Sequence, residues 1–221
     1  MSRPPSLIID LDGTLVDSAP LIAGIINQML AHRGSRRTVA PADARAFLTQ
    51  GGSHLVTALL GPDLVDLDSD LADFRTRYTT RATPTDCLFP GVADGLAALS
   101  ALGVRMAICS NKPQSLCDKI VADLQLGQHF DAIVGSTDAL PLKPAPDLAL
   151  VALEQLGASA AECLYVGDSD VDRQTAANAG IGFLFVTYGY AEPGKPIDAL
   201  ARFDRFDQLA DFIASTERRV A

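Results

Sequence analysis

Leu7-Ile8-Ile9-Asp10-Leu11-Asp12-Gly13-Thr14-Leu15-Val16-Asp17-Ser18 is the stretch from which the rest of the chain is read. Three apolar residues run straight into an acidic pair. A short apolar run closed by a Gly-Thr turn has the pattern of a buried parallel strand. Side chains alternate along a strand, which predicts Asp10 and Asp12 on one face at its carboxyl end. Open α/β sheets place their ligands at that end. Two carboxylates this close repel each other unless a cation or a shared proton separates them. Mg²⁺ suits the position, because it prefers a few carboxylates together with phosphate oxygens.

Beyond this stretch the pattern becomes helical. Ala19 to Leu30 is apolar at helical spacing through Leu21, Ile22, Ile25, Ile26, Met29 and Leu30, with Ser18 as the expected N-cap. Pro41 opens a short helix through Leu48. Gly51-Gly52-Ser53 interrupts it, and Ser53 is the expected cap of a helix over His54 to Leu60. Val65 to Arg81 forms a further helix. Residues 17–83 thus read as all-helical.

From Pro84 onward, strand and helix alternate. Strands are expected at Val104–Cys109, Ala132–Val134, Cys163–Val166 and Phe183–Val186. Helices are expected at Val92–Leu102, Gln114–Leu124, Asp147–Leu156, Val171–Ala179 and Phe206–Ala214. Short connections between alternating elements argue for a parallel sheet covered on both faces. The expected architecture is α/β. Residues 1–16 and 84–221 form a doubly wound, Rossmann-like core, and residues 17–83 are a helical cap inserted after the first strand.

Composition narrows the function. The chain has 221 residues, 48% of them apolar, enough for a sizeable core. A net charge of -9 repels nucleic acid and anionic membrane, and no basic cluster offsets it. Lysine is scarce, occurring only at 112, 119, 143 and 195. No apolar run approaches a membrane span, and Met1-Ser2-Arg3-Pro4-Pro5 is too short for a signal peptide. Cys87, Cys109, Cys117 and Cys163 form no C-x-x-C pair and read as thiols of a reducing compartment, which makes the cytoplasm the expected location. Monomer and homodimer both stay open.

Four strings carry the chemistry: Asp10-Leu11-Asp12-Gly13-Thr14, Ser110-Asn111-Lys112, Lys143-Pro144-Ala145-Pro146-Asp147 and Gly167-Asp168-Ser169-Asp170-Val171-Asp172. Each falls at the carboxyl end of an expected core strand or in the loop beyond it. Together they resemble the four motifs of the haloacid dehalogenase-like superfamily, mostly phosphatases that use an aspartate nucleophile. The resemblance covers essentially the whole chain and implies the same layout of Rossmann-like core and helical cap.

The resemblance implies a role for each residue. Asp10 matches the nucleophile, which forms an aspartyl-phosphate and splits one displacement into two. Asp12 matches the general acid–base that protonates the leaving alcohol and then deprotonates water. Its backbone carbonyl joins Asp10 and Asp168 as Mg²⁺ ligands. The Ser110 hydroxyl and the Asn111 backbone N–H match the groups that hold phosphoryl oxygens. Lys143 matches the fixed cation beside the nucleophile. Asp172 is expected behind the metal ligands, paired with Lys143. Lys112 resembles the second residue of an Asn-Lys pair and is not expected to be catalytic.

Two other strings are rejected. Gly189-Tyr190-Ala191-Glu192-Pro193-Gly194-Lys195-Pro196 fits G-x-x-x-x-G-K but has Pro where a phosphate-binding loop needs Ser or Thr. Gly180-Ile181-Gly182 precedes a strand and opens no helix. His32, His54 and His129 show no zinc-ligand spacing.

Within the superfamily, Asp12 argues against a dehalogenase, and the absence of lysine from residues 17–83 argues against a phosphonoacetaldehyde hydrolase. A β-phosphoglucomutase-like phosphotransferase shares the nucleophile and acid–base pair but resembles E-D-S-x-x-G at the fourth motif. The pattern is most similar to the phosphoglycolate phosphatase-like group, including Ala177-Asn178-Ala179-Gly180. The expected activity is Mg²⁺-dependent hydrolysis of a small phosphorylated metabolite such as 2-phosphoglycolate. A phosphatase for a sugar phosphate, a nucleotide or pyrophosphate is the alternative, and a non-enzymatic binding module is disfavoured because Asp10, Asp12, Lys143 and Asp168 are all present. The cap loop Gly51-Gly52-Ser53-His54 is expected to choose the substrate: its glycines allow close backbone approach, and the following helix offers free N–H groups to a carboxylate. Arg45 is the nearest cap cation in sequence.

Overall fold

The computed structural model describes residues 5–48, 51–192 and 194–220, the last five of these by backbone alone. The Met1–Pro5 stretch therefore lies almost wholly outside the described residues, as does Pro193 of the rejected glycine string. The chain divides into two compact units, Met1–Asp17 with Thr85–Ala221, and Ser18–Pro84.

The first strand, β1 (Ser6–Ile9), is buried along its whole length. After it comes the helical unit, with α1 (Ala19–His32), α2 (Pro41–Arg45), α3 (Gly52–Leu60) and α4 (Leu67–Thr80). Among its described residues no strand occurs. Helix α1 buries the apolar stripe that its spacing specifies, from Leu21 to Leu30. Its neighbour Val39 is held through both backbone groups by the Asn27 amide, at 2.9 and 2.7 Å. Helix α4 begins where the Asp66 carboxylate accepts from the Ser69 N–H at 2.9 Å, directly after an exposed Val65. Ser53 does not cap α3. Gly51 stands at the N-cap with φ +85°, so the helix starts at Gly52 and Ser53 lies inside its first turn. Glycine reaches this backbone region without steric cost, which removes the need for a side-chain cap.

The other unit carries β2 (Met106–Pro113), β3 (Ala132–Ser136), β4 (Cys163–Gly167), β5 (Gly182–Val186) and β6 (Ala201–Phe203). Between and after them run α5 (Val92–Ala101), α6 (Gln114–Asp123), α7 (Asp147–Leu156), α8 (Asp170–Asn178) and α9 (Gln208–Val220). The six strands form one parallel sheet in the order β3-β2-β1-β4-β5-β6. The doubly wound α/β architecture read from the sequence is the one observed. β1 is central, with Ile9 facing Ile108 on one side and Val166 on the other. The strand order reverses between β1 and β4, and the carboxyl ends at such a switch point are where open α/β sheets place the ligand crevice.

In the sheet, two features depart from expectation. β6 reads as loop in the sequence because three residues are too few to show a period, and Arg202 within it is exposed. β2 runs on to Pro113, four residues beyond the expected end at Cys109. Its pairing with β3 shifts between Cys109 and Pro113. The shift is built by Gly135 of β3, where a Cβ would lie 2.5 Å from Gln114 Cα and 2.9 Å from the Lys112 carbonyl oxygen. The Gln114 side chain fixes this approach by accepting the Gly135 N–H at 2.7 Å and donating to the Ile133 carbonyl at 3.1 Å.

Candidate active site

All core residues singled out in the sequence converge on the crevice. Asp10 lies one residue past β1, and its N–H continues the ladder to the Val166 carbonyl at 2.9 Å. Lys143 reaches it from the Pro-rich loop before α7, with Nζ 2.7 Å from Asp10 Oδ1 and 2.7 Å from Asp172 Oδ1. The ammonium also donates to the Cys109 carbonyl and the Tyr165 hydroxyl, both at 3.2 Å. The Lys143 backbone is held in turn by Asn111, whose side chain accepts the Lys143 N–H at 2.7 Å and donates to its carbonyl at 3.1 Å. The Asn111 side chain therefore positions the lysine. Ser110 is buried beside it, its hydroxyl accepting the Lys112 N–H at 3.2 Å.

Asp168 and Asp172 come from the β4–α8 turn. Ser169 caps α8, and its N–H and hydroxyl donate to Asp172 Oδ2 at 3.1 and 2.5 Å. One oxygen of Asp172 thus serves the helix cap and the other serves Lys143. Asp168 is fully buried. It accepts from the Thr14 hydroxyl at 3.4 Å and from the Tyr190 N–H. Backbone crowds it from two sides: a Cβ on Gly13 or on Gly189 would sit 2.3 Å from an Asp168 atom.

Asp12 is placed differently from Asp10. β1 stops at Ile9, so the turn sets the Asp12 side chain and strand alternation does not. A single-residue bridge pairs Asp12 with Val16. Its Oδ2 lies 3.1 Å from Lys112 Nζ. The two aspartates of the motif thus meet different lysines.

Asp10, Asp168 and Asp172 present carboxylate oxygens within 4.8 Å of one another. Asp172, expected outside the ligand set, belongs to this cluster geometrically. Burial pushes the Asp10 carboxyl up to about 7, with Lys143 opposing and Asp172 adding to the rise. Burial, then Asp172 and Asp10, hold Asp168 well above the ordinary carboxylate range. Burial works against the charge of Lys143, but Asp10 and Asp172 outweigh it and raise its pKa. The Lys143 ammonium pairs with two of these three buried carboxylates, Asp10 and Asp172. Such a set of hard oxygen donors, short of positive charge, fits a divalent cation such as Mg²⁺.

Gly51, Gly52, Ser53 and His54 lie in the helical unit at the start of α3, with Gly52, Ser53 and His54 exposed. The His54 ring lies 5.8 Å from that of Phe47. Arg45 closes α2 and is exposed.

Sequence reasoning missed three contributors. Tyr165 hides in an apolar strand pattern. The Tyr190 N–H is a backbone group with no sequence signal of its own, although Tyr190 lies in the rejected glycine string beside Gly189. The Lys112–Asp12 pair spans the chain from β1 to β2, and only the strand register brings it together.

Fold and cluster together define an α/β enzyme with a carboxylate–lysine centre at the carboxyl edge of its sheet. A family profile described as haloacid dehalogenase-like hydrolase matches residues 7–186, and the chain belongs to that family. A phosphoglycolate phosphatase of Rhodobacter capsulatus is 39% identical over 221 residues, covering 95% of this chain and 96% of the relative. One of Cupriavidus necator is 39% identical over 196 residues, covering 86% and 84%. A crystal structure named as a predicted phosphoglycolate phosphatase from Haemophilus somnus 129pt has a TM-score of 0.83 at 25% identity, over 96% of this chain and 99% of that one.

Proposed function

We propose that the protein is a Mg²⁺-dependent phosphomonoester hydrolase of the reducing cytoplasm, acting on a small phosphorylated acid, 2-phosphoglycolate first among them. The observation that carries this reading is the buried Asp10–Lys143–Asp172 cluster with Asp168 beside it, in a chain whose full-length relatives are named phosphoglycolate phosphatases. The free cysteines suit the compartment, and no helix among the described residues is long and apolar enough to cross a membrane.

Asp10 attacks phosphorus, forming a carboxyl–phosphate bond as the ester oxygen departs. Asp12 gives that oxygen a proton and the alcohol leaves. Asp12 then takes a proton from water, whose oxygen attacks the same phosphorus and frees Asp10 and inorganic phosphate. Lys143 faces the charge that gathers on the phosphoryl oxygens, and the Ser110 hydroxyl with the Asn111 N–H orients them. Asp10, Asp168 and the Asp12 carbonyl would hold Mg²⁺, with Asp172 at their edge. When bound, the ion supplies the positive charge that keeps Asp10 ionised and polarises the phosphoryl group.

We assign substrate choice to Gly51–His54. Three exposed residues at the start of a nine-residue helix offer N–H groups and two polar side chains to a carboxylate. The test is a panel of phosphate esters assayed with and without Mg²⁺. The expected result is Mg²⁺-dependent release of phosphate with the highest kcat/KM on 2-phosphoglycolate. A preference for hexose phosphates, nucleotides or pyrophosphate would overturn the substrate, and phosphoryl transfer between hexose positions would overturn the hydrolase.

A further inference from the structure

Two of the chain's four lysines lie at the crevice, and they divide the two aspartates of the first motif between them. Lys143 takes Asp10. Lys112 takes Asp12, with Nζ 3.1 Å from Oδ2 and side chains only 8% and 12% exposed. The other carboxylate oxygen, Asp12 Oδ1, is buried and has no hydrogen-bond partner among the described residues. A buried oxygen without a partner is costly unless a ligand completes it.

The position of Lys112 is not an accident of a flexible surface chain. It sits near the end of β2, inside the register shift, which re-aims side chains as bulges beside active sites do. Its backbone is held at both polar groups: its N–H donates to the Ser110 hydroxyl at 3.2 Å, and its carbonyl accepts from the Cys117 thiol at 3.5 Å. Gly135 lets β3 close against that carbonyl, and Gln114 locks the approach.

We infer that Lys112 is a positioning residue for Asp12. It holds one carboxylate oxygen so that the other points at the ester oxygen of the bound substrate. A nucleophilic site commonly has its proton-handling group oriented by a third side chain, and this pair supplies that arrangement. Separate lysines also keep Asp12 from turning toward Lys143 and the Asp10–Asp168–Asp172 cluster. The inference rests on the acid–base role proposed for Asp12.

The experiment compares wild type, Lys112→Met, Lys112→Arg, Asp12→Asn and the Lys112→Met/Asp12→Asn double variant. Single-turnover release of the leaving group is followed on 2-phosphoglycolate and on p-nitrophenyl phosphate, with steady-state kcat and KM beside it. Lys112→Met is expected to slow release from 2-phosphoglycolate by roughly ten- to a hundredfold, a part of the roughly hundred- to ten-thousandfold attributed to a positioned proton donor. KM should stay within a few-fold. Release of p-nitrophenolate, which needs little protonation, should slow much less. Lys112→Arg should restore most of the rate. The double variant should be no slower than Asp12→Asn alone, because both changes remove one function.

Losses that multiply in the double variant, equal slowing of both esters, or a raised KM with intact kcat would overturn the inference, the last by making Lys112 a substrate ligand. An Asp12→Asn variant as fast as wild type would instead overturn the role of Asp12. A wild type inactive on both esters would overturn the hydrolase reading.

Discussion

In the helical unit Arg33 pairs with Asp70, Arg37 with Asp63 at 2.7 Å and Arg77 with Asp73 at 2.8 Å; at the sheet's carboxyl edge Lys143 is shared between Asp10 and Asp172, with Asp168 beside them. The helical unit's pairs are matched in charge. Asp63 is held below its ordinary pKa by the hydrogen bond from Arg37. Burial works against the Asp70 carboxylate, but the Val65 N–H and Arg33 outweigh it and lower its pKa. Balanced charge of this kind tethers the Arg33–Asp70 corner of the fold. The core's carboxylates are shifted the opposite way, because burial exceeds what one ammonium returns. An unbalanced buried charge is poor as a structural device and is characteristic of a site completed by something else.

The largest effect expected is on Asp10. Asp10→Asn should lower kcat by at least roughly a thousandfold, as removal of a nucleophile does. It should leave the melting temperature of the chelated protein unchanged or higher, since it relieves like-charge repulsion. Near-normal kcat would end the covalent mechanism. A marked fall in melting temperature would show that Asp10 is a structural charge like Asp70.

Removal of divalent cations comes next. Excess chelator should abolish turnover, and Ca²⁺ should fail to replace Mg²⁺, because its looser coordination can capture both oxygens of a carboxylate. In chelator, stability should also depend on pH. Asp10 binds its proton more tightly folded, at about 7, than unfolded, at about 4. Its contribution is therefore complete below pH 4 and is lost as pH rises through 7. Asp63 and Asp70 are depressed, so their contributions are lost only as pH falls below the ordinary carboxylate range. Melting temperature in chelator should thus decline from pH 4 to pH 8, and Mg²⁺ should flatten the decline. A rising curve over that window would break the contrast between the units.

Two substitutions sharpen it structurally. Gly189→Ala places a Cβ 2.3 Å from both Asp168 and the Gly13 carbonyl, and should cost about 1–3 kcal/mol by denaturant unfolding together with most Mg²⁺ affinity. Asp70→Asn should cost about 1–3 kcal/mol through its lost charged hydrogen bonds, with kcat unchanged. The smallest effect belongs to the α3 loop. A Cβ at the exposed Gly52 meets only Leu71 Cδ1 among the described residues, at 3.5 Å, so Gly52→Leu should move stability by no more than about 0.5 kcal/mol. Its kcat/KM should fall several-fold on 2-phosphoglycolate and stay level on p-nitrophenyl phosphate. Equal effects on both would remove the loop from substrate choice.

What the sequence revealed follows from the range over which its signals act. β1 and β4 are continuous apolar runs ending in acidic turns, and strand and edge can be read from such a run within a dozen residues. Asp10 and Asp168 are legible because each directly follows a strand of the same sheet, and Lys143 and Asp172 because each lies in a distinctive string between a strand of that sheet and the body of the next helix. β6 was too short to show alternation. The Lys112–Asp12 pair depends on a register shift made by Gly135, so nothing near either residue announces it. Ser53 was misread because a glycine at positive φ replaced the expected side-chain cap.

The central place of β1 has a consequence for how the chain acquires its fold during synthesis. β1 precedes the whole helical unit, yet both of its partners, β2 and β4, follow that unit. Its unpaired flanks stay open until Met106 and then Cys163 have been made. Contacts this distant in sequence form slowly, and an apolar strand waiting for them invites association with other chains. The Tyr190 N–H that fixes Asp168 comes later still. Activity should therefore be the last property a nascent chain gains, and a truncation before Tyr190 should yield protein that is inactive and prone to aggregate.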